Sequence, residues 1–141
     1  MISRTLLRQL PARVTTGAYV LNSGLGKLHA DRQAAESMHG WAANTYPLLG
    51  KLDPQRFAAL LAAGEIVTGL ALLVPLVPAR VAGAALTGFG GALLGLYLRT
   101  PGMRREGSLR PTEEGISLAK DVWLVGIGLS LVLDDAKRED R

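Results

Sequence analysis

Four ionisable residues, Lys27, Glu65, Lys120 and Asp121, stand in stretches of the chain that are otherwise apolar. Two carboxylates and two ammonium groups in low dielectric can neutralise one another, hold the polar head of a ligand, or carry a proton. The clearest case is FAALLAAGEIVTGLALLVPLV, residues 57–77, where Glu65 is the only charge. A buried ion costs several kcal/mol unless it is paired and hydrogen-bonded, so Glu65 is expected to face Lys27 or Lys120 inside a helical bundle. Asn22, Ser117 and His39 are the other residues suited to line a polar cavity at that level. Such a cavity would take a quinone head group, a lipid head group or a small polar solute. Alternatively, the cluster only fixes the register of the helices. A proton relay is a third reading, but the lysines favour the charged carboxylate and work against it.

No catalytic constellation is expected. His29 and His39 lack the helical spacing of metal ligands, so no metal site is assigned, and no Ser-His-Asp set or pair of carboxylates appears outside the apolar windows. The chain has no cysteine, which excludes a disulfide, a thiol redox centre and a Cys-ligated metal.

The elements that must carry these charges are long and apolar. Residues 57–77 form a helix long enough for the roughly 30 Å core of a bilayer, at about 1.5 Å per residue. VAGAALTGFGGALLGLYL, residues 81–98, has no charge and forms a second. Two weaker windows, about 12–30 and 115–133, hold Lys27 and the Lys120–Asp121 pair and need their neighbours. The expected fold is therefore all-α, a four-helix transmembrane bundle in one domain of 141 residues with a polar tail at 134–141. A cleavable leader is not expected, because Asn22 and Ser23 break the apolar run and Leu28 occupies the position where cleavage wants a small residue.

An even number of spans puts both termini on one side. The lysines and arginines outside the spans divide seven against seven, but three arginines precede the first span and favour the cytoplasm for the termini. Glu65 then lies about 12 Å below the opposite surface, and Lys120 and Asp121 about 9–12 Å below it. The connection 29–56 is expected to form a short interfacial helix, with Trp41 and Tyr46 at head-group level.

In the third span, Ala84, Gly88 and Ala92 follow one i+4 row, and Gly91 and Gly95 make a GxxxG pair. Such small-residue rows let helices approach closely, within the bundle or in a homo-oligomer. The net charge of +4 and pI of about 9.9 suit cationic flanks on anionic lipid. With only 5% aromatic residues and no basic patch interleaved with them, nucleic acid is not an expected partner.

SGLGKL (23–28), GEIVTGLALLVPLVPARVAGAAL (64–86) and AKDVWLVGIGLSLVL (119–133) follow in that order, and with them the chain resembles the DoxX-like family of small four-helix membrane proteins. The resemblance implies that Lys27, Glu65 and Asp121 belong to a family pattern, and that the protein is multi-pass in the bacterial plasma membrane. It implies a membrane subunit or scaffold of an oxidoreductase assembly, connected with thiosulfate and quinone or with thiol and oxidative stress. It also implies a soluble or membrane redox partner, with quinone as the cofactor class; the lack of cysteine departs from a self-contained thiol oxidoreductase, so catalysis by this chain alone is not expected. The alternatives are a membrane-protein assembly chaperone without cofactor and, behind it, a small-solute or proton carrier.

Overall fold

The computed structural model describes residues 3–139. It is all-helical: α1 (Arg4–Lys27), α2 (Arg32–Thr45), a 3₁₀ turn (Pro47–Lys51), α3 (Pro54–Leu73), α4 (Ala79–Arg99), the single turn α5 (Ile116–Ala119) and α6 (Val122–Glu139). Among the described residues the only extended pairing is an isolated bridge between Arg104 and Pro111.

Three helices are long and apolar enough to cross a membrane, Pro54–Leu73, Ala79–Arg99 and the combined stretch Ile116–Ala136. They mark the chain as a membrane protein by length and composition. Their outward faces carry Leu60, Val67, Leu70, Val81, Leu98, Trp123 and Leu129, all exposed, as lipid contact requires. The first helix has the length, 24 residues, but is not among the three.

Local chemistry moves several boundaries away from the hydrophobic windows. Ser3 caps α1 by accepting from the Leu6 N–H, so the helix begins well before residue 12 and runs through Pro11. At the other end α1 stops at Lys27 and a new N-cap, Asp31, starts α2; the first span does not continue to residue 30. Helix α3 stops at Leu73 rather than 77, because Pro75 drives Val74 into extended backbone. Asp53 caps its start through the Gln55 and Arg56 N–H groups. Residues 134–139 extend α6 instead of forming a separate polar tail, while residues 140 and 141 lie outside the described residues.

The helices pack as two tight pairs, α1 with α3 and α4 with α6, and the pairs touch each other more sparingly. In the first pair Gly17 and Gly24 of α1 meet α3, and Gly69 of α3 meets α1; a Cβ on Gly69 would lie 2.7 Å from the Leu21 nitrogen. In the second, Gly83 and Gly90 face α6, and Gly128 faces α4. The helix contact within the chain thus uses Gly83 and Gly90 rather than the row Ala84, Gly88 and Ala92, whose first two members are exposed on the outer face. Gly91 is likewise open, and Gly95 packs against the Tyr46 hydroxyl. Between the pairs, Val20, Leu72, Leu86, Leu124 and Leu131 form the apolar core.

One end of the molecule is locked by Arg13, 2% exposed, although it reads in the sequence as a flanking charge. Its guanidinium donates to the carbonyls of Leu72 (2.8 Å), Ala71 (2.9 Å), Val74 (2.9 Å) and Val77 (3.0 Å). These are the carbonyls that the end of α3 and its proline-bounded turn leave without helical donors. Nearby, Asp134 of α6 accepts from Arg8 and from Gln9, and Asp135 accepts from the Arg80 N–H. Arg13→Gln is expected to lower stability by about 3 kcal/mol, with Arg13→Lys recovering only part because one ammonium cannot span four carbonyls. Denaturant unfolding in detergent measures both.

Candidate functional site

Toward the other end of the α1–α3 pair lies the first of the charged groups. Lys27 is the last residue of α1, and its Nζ donates to both carboxylate oxygens of Glu65, each at 3.1 Å, and to Ser23 Oγ at 2.7 Å. Glu65 is 3% exposed and the Lys27 side chain 26%, so the pair is sealed on its acidic side and open on its basic side. Ser23 precedes Lys27 by one turn on the same helix face. Gly24 makes the approach feasible, since a Cβ there would lie 2.9 Å from the Glu65 Cβ.

The second pair of charges sits at a discontinuity. The stretch expected as one span over 115–133 is interrupted after α5 at Lys120 and Asp121, where the backbone closes i to i−3 bonds: Asp121 N–H to Leu118, Trp123 N–H to Lys120 and Leu124 N–H to Asp121. Lys120 stays on the surface with its Nζ 5.4 Å from the centre of the Tyr19 ring, and Asp121 is buried at 7% exposure. Among the described residues the Asp121 carboxylate has neither a hydrogen-bond nor an ion-pair partner, and Lys120 does not pair with it.

All four charged residues border one cavity of about 340 Å³. Ser117 lines it, as do Tyr19, Ser23, Phe57 and Phe89. Helix α2, the 3₁₀ turn and Tyr46 between them line one side with Met38, Trp41, Ala42, Tyr46 and Leu49. Trp41 is therefore not simply a head-group anchor: its indole N–H donates to Thr100 Oγ1 at 2.8 Å. The Tyr46 hydroxyl reaches inward to the Ala92 carbonyl at 2.7 Å. Helix α2 can lie close to α3 because its buried face presents Ala35 and Ala42.

Two residues expected at the cavity are elsewhere. Asn22 is exposed on α1, off the Tyr19–Ser23–Lys27 row that faces inward. His39 packs edge-on against Phe57, with ring centres 5.5 Å apart, and its Nε2 donates to the Leu49 carbonyl at 2.8 Å, so it braces the lid rather than the cavity. The aromatic lining is the part that reading of the sequence missed. For Tyr19 a signal existed in its i+4, i+8 spacing to Ser23 and Lys27. Trp41 and Tyr46 gave none, because their direction depends on how α2 docks. Among the described residues no group of His, Asp and Glu is arranged to hold a metal ion.

Chemically, the arrangement provides a satisfied ion pair, a carboxylate open to the cavity and an exposed ammonium on an otherwise aromatic and aliphatic wall. That set binds and orients; it contains no activated nucleophile and no acid–base pair set across a reacting centre. Since Glu65 is 3% exposed and the Lys27 side chain 26%, Lys27→Met is expected to destabilise by about 3–5 kcal/mol and Glu65→Gln by less. Replacing both together should cost less than Lys27→Met alone, measured as a double-mutant cycle in detergent.

No known family model, curated protein or solved structure matches this chain. What the cavity does has to be read from its own side chains.

Proposed function

We propose that this chain is a four-span membrane protein of the DoxX-like kind, with α1 as the fourth span, acting as the membrane subunit or scaffold of an oxidoreductase assembly. Its chamber holds the head group of a membrane amphiphile, a quinone or a lipid. The observation that carries this reading is Asp121, 7% exposed and with no side-chain hydrogen bond or ion pair among the described residues, on the wall of a roughly 340 Å³ aromatic cavity into which its carboxylate opens, among lipid-facing helices.

Support for the fourth span comes from α1 itself. At 24 residues it reaches about 36 Å, it follows α3 closely, and it has no charged residue between Arg13 and Lys27. Its uncharged stretch, residues 14–26, covers about 20 Å, and the buried Arg13 extends it inside the bundle by bonding to α3 carbonyls instead of facing lipid. Four spans put the N-terminus, the turn near Leu76 and the end of α6 on one side, the cytoplasmic one, and α2 and the 100–115 connection on the other. Because the chain has no native cysteine, Leu76→Cys and Ser108→Cys each give a single reporter. The two are expected to label from opposite sides of the membrane with an impermeant maleimide. Labelling from the same side would refute the four-span arrangement.

Without a thiol of its own, the chain cannot run disulfide chemistry, so in a redox assembly the partner supplies the reaction and this chain supplies the site in the membrane. The expected result of native mass spectrometry from mild detergent is a quinone or polar lipid retained by the wild type and lost from folded Glu65→Gln. Protein partners retained with no small molecule, unchanged by the substitution, would instead make the chain an assembly scaffold without cofactor.

A further inference from the structure

The chamber has a side door. A second groove of about 320 Å³ runs beside the helices with an almost wholly apolar lining that includes Thr15, Trp123 and Ile127. It shares Tyr19, Lys120, Asp121 and Leu124 with the chamber, so those residues stand where the two spaces meet. The groove follows the seam between α1 and α6, which touch far less than either does its own partner helix. Its outer rim is Trp123, 70% exposed on the face that lipid would wet.

At this junction two unlike charges face the space without meeting each other. Lys120 lies over the Tyr19 ring, and Asp121, more than nine-tenths buried as a residue, opens its carboxylate to the shared space and has no side-chain hydrogen bond or ion pair among the described residues. Their requirements differ. An ammonium needs an acceptor, and a buried carboxylate needs a donor, preferably a charged one. A quinone ring has only carbonyl acceptors and would leave Asp121 unsatisfied. An anionic head group would serve Lys120 and repel Asp121. A simple cation would serve Asp121 and meet the positive charges of Lys120 and Lys27. Among membrane lipids, a zwitterion with a phosphate and a donor-bearing ammonium meets both with opposite charges.

Resting on the reading of the chamber as an amphiphile site, we propose that the α1–α6 seam admits a lipid sideways from the bilayer. We further propose that the ligand is an aminophospholipid, with its phosphate on Lys120, its primary ammonium on Asp121 and its acyl chain in the groove. A primary ammonium has three N–H donors for the Asp121 carboxylate, whereas a choline head of the same net charge has none. The distinction between those two heads is therefore the signature of the site.

The test uses the purified full chain in mild detergent, offered phosphatidylethanolamine, phosphatidylcholine, phosphatidylglycerol and a ubiquinone at equal concentrations, with retention read by native mass spectrometry. Phosphatidylethanolamine is expected to be retained about tenfold over phosphatidylcholine, the difference that one charge-assisted hydrogen bond confers. Asp121→Asn should erase that preference, and Lys120→Gln should weaken retention of both zwitterions. Equal retention of the ethanolamine and choline lipids by wild type overturns the proposal, whether or not the variants fold. An ethanolamine preference that survives Asp121→Asn overturns it too. Ubiquinone retained in place of phospholipid overturns it while leaving the chamber an amphiphile site. Wild type that retains no amphiphile refutes both readings. Soluble O-phosphoethanolamine is expected not to displace the lipid; displacement would mean that a free solute, rather than a lipid, is recognised.

Discussion

A carboxylate taken out of water must be met by an opposite charge, and α3 has none to offer Glu65. The nearest charges on its own helix are at Arg56 and beyond, more than two turns away. The requirement is met from α1, and much of the first helix pair follows from it. Lys27 has to end α1 at the level of Glu65, Ser23 has to share its face, and the two backbones have to come within reach of a short bridge. Gly24 and Gly69 remove the side chains that would prevent this. In a bilayer, where lipid is as apolar as leucine, close backbone approach and polar contacts are what hold helices together, and this pair uses both.

Arg13 performs the complementary task about 21 Å away along α1. There the problem is the C-terminal end of α3, whose carbonyls lose their helical donors because Pro75 stops the helix inside apolar surroundings. One guanidinium, with its fork of donors, covers four of them. The α1–α3 pair is thus pinned at both ends by cations of α1, and α4 and α6 are pressed together by glycines. Neither device bridges the two pairs at the level of Glu65. The chamber is the space left there, roofed by α2.

How much of this the sequence discloses depends on whether the determining interaction is local or tertiary. The apolar windows around 57–77 and 81–98 contain α3 and α4 because an uninterrupted run of some twenty apolar residues has few other solutions. The charges Lys27, Glu65, Lys120 and Asp121 stand out for the same reason, against an oily background. Their ends are harder: the hydrophobic pattern runs on to residue 77, while the backbone obeys Pro75. Arg13 looked like a flank because its role exists only once the end of α3 lies beside it. The outward row of Ala84 and Gly88 and the inward row of Gly83 and Gly90 are equally good patterns, separated by a fraction of a turn, and only the position of α6 chooses between them. The break at Lys120 follows no proline or glycine, so it has no local marker of the usual kind.

That break explains why the two sets of charges differ in their state of satisfaction. In an uninterrupted helix consecutive residues lie about 100° apart, and a buried Asp121 would leave Lys120 directed obliquely along the wall. The tightened i to i−3 turn separates them further, with one side chain inside and the other out over Tyr19. Mutual neutralisation, the cheapest arrangement for two adjacent opposite charges, is given up. A protein that only needed register could have kept Lys120 and Asp121 paired, as it keeps Lys27 and Glu65. Holding them apart beside a sparsely packed seam leaves local free energy available to something that enters there. Sparse packing also lowers the cost of opening that seam. The rigid pairs and the soft seam between them are two consequences of one distribution of glycines and charges.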